Sequence, residues 1–426
     1  MTRSYQFAAT GVILLLLLVG YVVLTHNVLT APYPGHNDFM TPFEASRAFW
    51  LDGLNPYGSA ATERIQLRIF GREPLPEEDP GFFSYPLYAT YMIVPLLGLD
   101  YAWASAVWMV LLQVCLIAAL LLAFDIFGYR PAVWLLPVWI IWMLGFYPSA
   151  RGLILGQLSH VGVLLQVLAI WALLRRRDRL AGVALALSTF KPQMGYLLVP
   201  FLLLWAFQAR RWQVIGWFAG VFAALMASAF VFYPAWFSEW LHRLSVYPTY
   251  TRGNAVQIVT GGWLGLGTWA EWLFSGALYA AVLVSWWVVL VRRRHPWWLW
   301  TVVWTLTLTH IVAPRTATPH FTLFALMMIG LAAELTRRAS HWRANGGVLL
   351  LLALTLVLPW LHFLATVGGV AGEQEGDSVF VIMPLVTLLA LLLSRPLWAD
   401  AARPAAQAKS VEVEAEAAPT TRVEAS

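Results

Sequence analysis

The stretch LAGVALALSTFKPQMGYLLVPFLLLWAF, residues 180–207, decides the fold. It is apolar except at its centre, where Lys191 and Pro192 stand together. Arginines bound it on both sides, Arg175-Arg176-Arg177-Asp178-Arg179 before it and Arg210-Arg211 after it. Arginine clusters in short loops mark the cytoplasmic ends of transmembrane helices. Two cytoplasmic flanks require the chain to enter the membrane and return between them. The spacing predicts two half-length helices that meet at Lys191-Pro192, with their turn deep in the membrane or near its outer side. Pro192 lacks an amide hydrogen and disfavours helical geometry at the residue before it, so the break is placed by the sequence itself.

The same pattern extends in both directions. The chain has 426 residues, of which 60% are hydrophobic and 12% charged, where a soluble domain carries about 25% charged residues. The apolar material falls in runs of roughly 20 residues, the length of a membrane-crossing helix, and not in the short alternating segments of a β-barrel. Tryptophans collect near run ends (Trp103, Trp134, Trp212, Trp263, Trp297, Trp298), as an interfacial belt requires. The net charge of +5 comes largely from loop arginines and reads as a topology signal, not a nucleic-acid footprint. The one cysteine, Cys115, lies in an apolar run, which excludes a disulfide framework and a thiolate metal site.

Arg3 and the clusters at 175–179, 210–211, 292–294 and 337–338 set the topology. The run from Phe7 to Leu24 has no A-x-A site after it and reads as an uncleaved first helix with a cytoplasmic N-terminus. Residues 29–83 form the first outer loop. Spans are expected near 213–233, 263–291, 297–313, 321–336, 347–366 and 379–395. Of the four apolar stretches 84–98, 102–124, 131–147 and 153–174, an odd number must cross. The short 84–98, bounded by Pro86 and Pro95, is the one expected to be re-entrant or interfacial. The fold class is an all-α polytopic bundle of about 11–13 membrane segments over residues 1–397. Residues 398–426 read as a disordered cytoplasmic tail.

This topology gathers polar residues on one face. In the first outer loop, TPFE (Thr41–Glu44) reads as a capping box with proline at the first helical position, opening a short amphipathic helix that Gly53 ends. That juxtamembrane helix is expected to lie flat on the outer surface, with Asp38 just before it. Asp38 is a candidate site carboxylate or a plain turn cap. Lys191 could hold a lipid phosphate or snorkel to an interface. GQLSH offers Gln157 and His160 at a helix start, for a substrate or for the helix end. APRTATPHFTLF offers Arg315, whose planar fork suits phosphate, and His320, which can donate to it; an ordinary loop is the alternative. TRGNAVQIVTGG carries Arg252, Asn254 and Gln257, as a mobile loop over a site or as a linker. Arg151 and the loop residues His242 and Arg243 share that face. The acidic loop Glu373, Glu375, Asp377 reads as solvated. Ionisable groups at membrane depth cost roughly 2.5 kcal/mol or more and are usually kept facing a cavity, so together these residues imply a polar cavity open to the outer side. No Walker motif, G-x-G-x-x-G, H-E-x-x-H or partnered G-x-S-x-G is present. No D-x-D stands in the first outer loop, which argues against metal-dependent sugar-nucleotide chemistry.

Asp38-Phe39, Ala45, Gly53 and Asn55-Pro56-Tyr57-Gly58 are followed in order by Tyr85-Pro86, Gly156-Gln157, Ala181-Gly182, Lys191-Pro192, Pro314 and His320. In that order they resemble glycosyltransferase family 87, within the C-type integral-membrane glycosyltransferases, over most of residues 1–395. The chain departs from the family's frequent YPP with Tyr85-Pro86-Leu87, and carries Ser159-His160 where many members have asparagine. The resemblance implies a polyprenyl-phosphate-linked sugar donor, most often mannose, and inverting attack by an acceptor hydroxyl. It maps the catalytic base to Asp38 and the late histidine to His320.

Together these readings give the expected activity: transfer of a hexose, mannose first among them, from a polyprenyl phosphate to a lipid or glycan acceptor. The reaction is placed on the outer side of a bacterial plasma membrane. Asp38 takes the acceptor proton, and Lys191, Arg315 and His320 hold the donor phosphate. Gln157, His160, Arg252, Asn254 and Gln257 are further substrate-binding candidates. No cofactor, metal or nucleic acid is expected. The rival is a transporter or flippase of a lipid-linked saccharide, which would also need a basic membrane cavity but should show an internal repeat; none is visible by eye.

Overall fold

The computed structural model describes residues 2–33, 37–75, 78–251, 253–292, 295–368 and 374–399. In chain order its helices are α1 (Thr2–Thr25), α2 (Asn37–Trp50), α3 (Ser59–Phe70), α4 (Tyr101–Phe127), α5 (Leu135–Gly145), α6 (Tyr147–Leu155), α7 (Ser159–Leu174) and α8 (Asp178–Leu187). The single turn α9 (Pro192–Gly195), then α10 (Leu198–Gln208), α11 (Trp212–Phe232), α12 (Trp236–Val246) and the single turn α13 (Ala255–Gln257) follow. The last are α14 (Thr268–Leu290), α15 (Trp298–Val312), α16 (Ala325–Arg338), α17 (His341–Thr366) and α18 (Asp377–Ser394). Among the described residues the only β pairing is an isolated bridge between Gly368 and Gln374. The protein is an all-α polytopic bundle.

Among the described residues, seven helical segments are long and apolar enough to cross a membrane: Thr10–Thr30, Tyr101–Phe127, Trp212–Phe232, Thr268–Leu290, Thr318–Arg338, His341–Thr366 and Asp377–Ser394. α5 and α6, bent by 57° at their junction, form an eighth if taken as one span, and α7, α10 and α15 are shorter apolar helices. The expected spans from 213 to 395 thus recur within a few residues. The stretch 84–98 forms two short 3₁₀ segments, Leu87–Met92 and Val94–Leu96, and no membrane-length helix.

The break at Lys191-Pro192 is present. α8 passes through a 3₁₀ turn, Ser188–Phe190, to Lys191, whose backbone leaves the helical region (φ −129°, ψ 76°), and α10 runs back after α9. α8 packs closely on α11 because residue 182 is glycine. A Cβ there would stand 2.8 Å from the Phe218 amide nitrogen and from the Trp217 Cβ.

The arginine-rich ends gather at one end of the bundle. Arg175 pairs with Asp125 of α4. Arg211 pairs with Asp178 and donates to the Leu173 carbonyl at 2.8 Å. Arg337 donates to the Phe127 carbonyl at 2.6 Å. The opposite end of α4, 27 residues away and so roughly 40 Å distant at 1.5 Å per residue, meets the start of α2. Asp100 opens α4 there by accepting from the amides of Ala102 and Trp103 at 3.0 and 3.2 Å. Outer helices leave apolar faces exposed, as on α1 and α14, which suits lipid contact, while α15 is buried along its whole length.

Three expectations need correction. α2 begins at Asn37, so Asp38 lies in its first turn and Thr41 does not cap it; Pro42 is inside the helix. Pro42 lacks the amide hydrogen that would bond the Asp38 carbonyl, so α2 is one backbone bond short in its first turns. Nor does α2 lie flat on a surface: Phe39, Phe43, Glu44, Ala45, Ser46 and Ala48 are all buried, so it packs inside the bundle on nearly every side. The third correction is Glu375, which is not solvated. It accepts from the Tyr147 hydroxyl and from Thr318 Oγ1 (2.6 Å) and lies 3.8 Å from Arg151. Glu373 and residues 400–426 of the tail fall outside the described residues, and Trp398 is buried against Phe127.

The buried Glu44 anchors α3 to α2 by accepting from Arg64 Nε at 2.9 Å and Arg68 Nε at 3.1 Å. Both arginines are partly in water, 32% and 51% exposed at the side chain, so the loss on removing Glu44 is that of the hydrogen bonds and not of a stranded buried charge. Glu44→Ala is expected to lower stability by about 1–2 kcal/mol, measured by thermal unfolding in detergent.

Candidate functional site

The site is assembled where three helix breaks meet. The first is the start of α2. Phe39 stacks on Trp108 at 5.2 Å between centroids and lies 5.9 Å from Tyr101, which fixes Asp38 against the first turns of α4. The second is the turn between α6 and α7, where Gly156 adopts the left-handed conformation (φ +65°) that glycine alone reaches without strain. Its carbonyl accepts from Trp108 Nε1 at 2.8 Å, and the next residue, Gln157, is thereby aimed at Asp38. The third is Lys191.

Gln157 Nε2 donates to Asp38 Oδ2 at 2.8 Å. Gln157 Oε1 accepts from Lys191 Nζ at 2.9 Å and from the Ser159 hydroxyl. Lys191 Nζ also donates to Ser159 Oγ at 2.8 Å and stands 5.7 Å from the Tyr85 ring centroid. A carboxylate only accepts and an ammonium only donates, so the amide of Gln157 can sit only one way between them. Lys191 is 3% exposed and its bonds go to neutral oxygens. Lys191, Arg151 and the Gln157 bond favour the ionised form of Asp38, but burial outweighs them and pushes its carboxyl above the ordinary aspartate value.

Three histidines surround Lys191 closely enough to feel its charge. His160 Nε2 lies 2.9 Å from the Ser149 carbonyl and so carries the proton, leaving Nδ1 buried without a partner. His320 Nδ1 accepts from the Ala317 amide at 3.2 Å, so the proton of the neutral ring sits on Nε2, also buried without a partner. The His310 ring lies 5.6 Å from that of His320.

Arg315, Asn254 and Gln257 form a separate group. Asn254 and Gln257 make a reciprocal capping box at 3.0 and 3.1 Å. Gln257 also accepts from Arg315 Nη1 at 2.9 Å and donates to Glu271 at 2.6 Å. Arg315 Nη2 donates to the Pro248 carbonyl at 2.7 Å. Tyr247 connects the two groups: it interacts electrostatically with Asp38, Asp79 and Arg315. Arg252 lies outside the described residues. The NPYG stretch builds the wall behind Tyr85. Asn55 accepts from the Tyr57 amide at 3.0 Å and donates to Glu239 at 2.6 Å, while the Tyr57 hydroxyl donates to the Tyr85 carbonyl at 2.8 Å.

The structure therefore brings Asp38, Gln157 and Lys191 into one hydrogen-bonded chain, sets His160 and His320 beside it, and keeps Arg315, Asn254 and Gln257 apart. Sequence reasoning missed Ser159, Asp79, Tyr85 and His310. The signal for His310 was an ionisable residue within an apolar run, WTLTLTHIV. Asp79 is drawn in by the fold: burial and the charge of Asp38 both push its carboxyl up.

Gly156→Ala is expected to lower stability by about 1–3 kcal/mol. A Cβ at that position would stand 2.7 Å from the Phe39 Cβ, next to Asp38, in a conformation alanine resists. Thermal unfolding of the variant checks this.

Glycosyltransferase family 87 matches residues 82–314 of the 426. No curated protein matches the chain. The matched stretch contains Tyr85, Gln157, Lys191 and His310 and ends before His320, with Asp38 ahead of it. Since it covers more than half of the sequence, the protein belongs to glycosyltransferase family 87.

Proposed function

We propose that this glycosyltransferase moves a hexose, mannose first among the options, from a polyprenyl phosphate to a hydroxyl of a lipid or glycan acceptor. The observation that carries the proposal is the chain from Asp38 through Gln157 to Lys191 at the junction of three helix breaks. It places one carboxylate and one cation a single amide apart, with an arrangement of charge that suits displacement at a sugar phosphate.

Asp38 takes the proton from the acceptor hydroxyl as its oxygen bonds to the anomeric carbon. The bond from that carbon to the phosphate oxygen breaks, and its electron pair leaves with the polyprenyl phosphate. Attack opposite the leaving group inverts the anomeric configuration. Lys191 and His320 hold the phosphate and stabilise its developing charge. Asp38 and Asp79, with the hydroxyl of Tyr247 near both, give the acceptor sugar a polar mouth. Arg315 orders that mouth through Gln257 and the Pro248 carbonyl and lies within electrostatic reach of Tyr247.

The arginine-rich end of the bundle is cytoplasmic by the positive-inside rule. The Asp38 end then faces the outer side of a bacterial plasma membrane, where a polyprenyl-phosphate donor can present its head. The reaction needs no metal or cofactor. The test is a donor screen with purified protein and the host's lipid extract. Polyprenyl-phosphate mannose should give product, with or without a chelator. Product from a nucleotide sugar instead, or loss of activity with the chelator, would overturn the donor assignment or the metal-independent chemistry respectively.

A further inference from the structure

α15 is buried throughout; Trp298 and Trp304 each leave one ring N–H without a partner, while several of its threonines are occupied. Thr305 accepts from Trp286 Nε1 at 2.9 Å, and Thr307 and Thr309 donate back along the helix to the carbonyls of Val303 and Thr305 at 2.9 and 2.7 Å. His310, in its last turn, is different. It is 0% exposed, and neither ring nitrogen has a hydrogen-bond partner. A neutral imidazole carries one N–H and one lone pair, and both are left open here. Buried polar groups in native proteins are almost always partnered, so one that is not requires an explanation. The Phe321 and Phe324 rings, 6.2 and 6.1 Å away, offer it no hydrogen bond.

The surroundings supply the explanation. His310 stands beside His320, whose Nε2 is open as well, and both lie within electrostatic reach of Lys191. Open N–H donors next to a buried cation form a receptor for an anion. We infer that His310 is a further ligand of the donor phosphate, giving its N–H to a phosphate oxygen together with Lys191 and the Nε2–H of His320. The inference rests on the polyprenyl-phosphate donor proposed above. In this role His310 is a catalytic residue: it touches the group that gains charge as the sugar leaves.

His310→Phe separates this role from a structural one. Phenylalanine fills a similar volume and removes two unpartnered polar atoms from the interior, so the unfolding temperature of the purified full-length protein should stay the same or rise. Binding is then read with polyprenyl phosphate alone, and separately with inorganic phosphate, as a shift in that temperature. Polyprenyl phosphate should stabilise the wild type and bind His310→Phe about 10- to 100-fold more weakly, the value of one charge-assisted hydrogen bond. Inorganic phosphate should give the same ranking at higher concentration if the head group alone is recognised. Sugar transfer should fall about 10²-fold or more, and His310→Gln, which keeps an N–H donor, should recover part of it. Wild-type binding and transfer in His310→Phe would overturn the assignment. So would its failure to fold, because a ring without partners cannot be holding the fold by hydrogen bonds. If the wild type itself ignores polyprenyl phosphate yet transfers sugar from another donor, the donor proposal falls and the phosphate role of His310 falls with it.

Discussion

Asp38→Asn should abolish sugar transfer, by about 10²–10⁴-fold, while the protein folds and expresses as before. Asparagine keeps the shape and can still meet Gln157 after a turn of its own amide, but it cannot take a proton. The stability side follows from the raised carboxyl. A group that is harder to ionise in the folded protein binds more protons there than in the unfolded chain. Its destabilising effect therefore sets in as pH rises above the ordinary aspartate value of about 3.9 and is complete above the folded value. At neutral pH, above the ordinary aspartate value, Asp38 works against folding, and Asp38→Asn should unfold at the same or a higher temperature. In the wild type the acid limb of kcat/KM should lie above the range of an ordinary carboxylate, since burial outweighs Lys191, Arg151 and the Gln157 bond. A pH–rate profile beside the unfolding curves reads both. Equal transfer by wild type and Asp38→Asn would remove Asp38 as the base.

Lys191→Met should lower kcat/KM for the donor by about 10²–10³-fold, through loss of the fixed positive charge on the leaving phosphate. The methionine stem follows the path of the lysine chain, and the variant loses the bonds to Gln157 Oε1 and Ser159 Oγ. It also removes a cation that, among the described residues, has no carboxylate within ion-pair distance in a buried position. These changes oppose each other, so stability should move by no more than about 1 kcal/mol. Lys191→Arg should not restore activity. A planar fork does not fit where a compact ammonium sits between an amide and a hydroxyl. Donor titrations on both variants, with unfolding temperatures as controls, make the comparison. Near-wild-type kcat/KM in Lys191→Met would show that the phosphate is held elsewhere.

Much of this architecture is written in the sequence because membrane helices obey simple rules of length and flanking charge. The Lys191-Pro192 break was legible from two arginine clusters with one apolar stretch between them, and Pro192 itself enforces it. The helices from Trp212 to Ser394 stand where hydropathy places them. The start of α2 was not legible: Asn37 and Asp38 open a helix that local rules start at Pro42, and packing of Phe39 on Trp108 holds the extra turn. The burial of Glu44 and Glu375 was hidden for the same reason. Their partners, Arg64 and Arg68, or Tyr147 and Thr318, are distant in sequence or sit on other elements. Of the site, Asp38, Gln157 and Lys191 were each singled out as polar residues at apolar borders, but their order in one hydrogen-bonded chain depends on three backbone breaks converging. His310 was not legible as a site residue because its two unpartnered nitrogens, beside the open Nε2 of His320, arise only in the folded structure.

The most direct test of the central claim is the stoichiometry and stereochemistry of one reaction. Purified protein is given an anomerically defined polyprenyl-phosphate mannose and an acceptor from the host lipids, and the products are resolved by mass and by NMR of the anomeric proton. One polyprenyl phosphate should be released for each mannose transferred, and the new linkage should have the opposite anomeric configuration. Retention of configuration, or transfer without release of polyprenyl phosphate, would contradict a single displacement driven by Asp38 and Lys191.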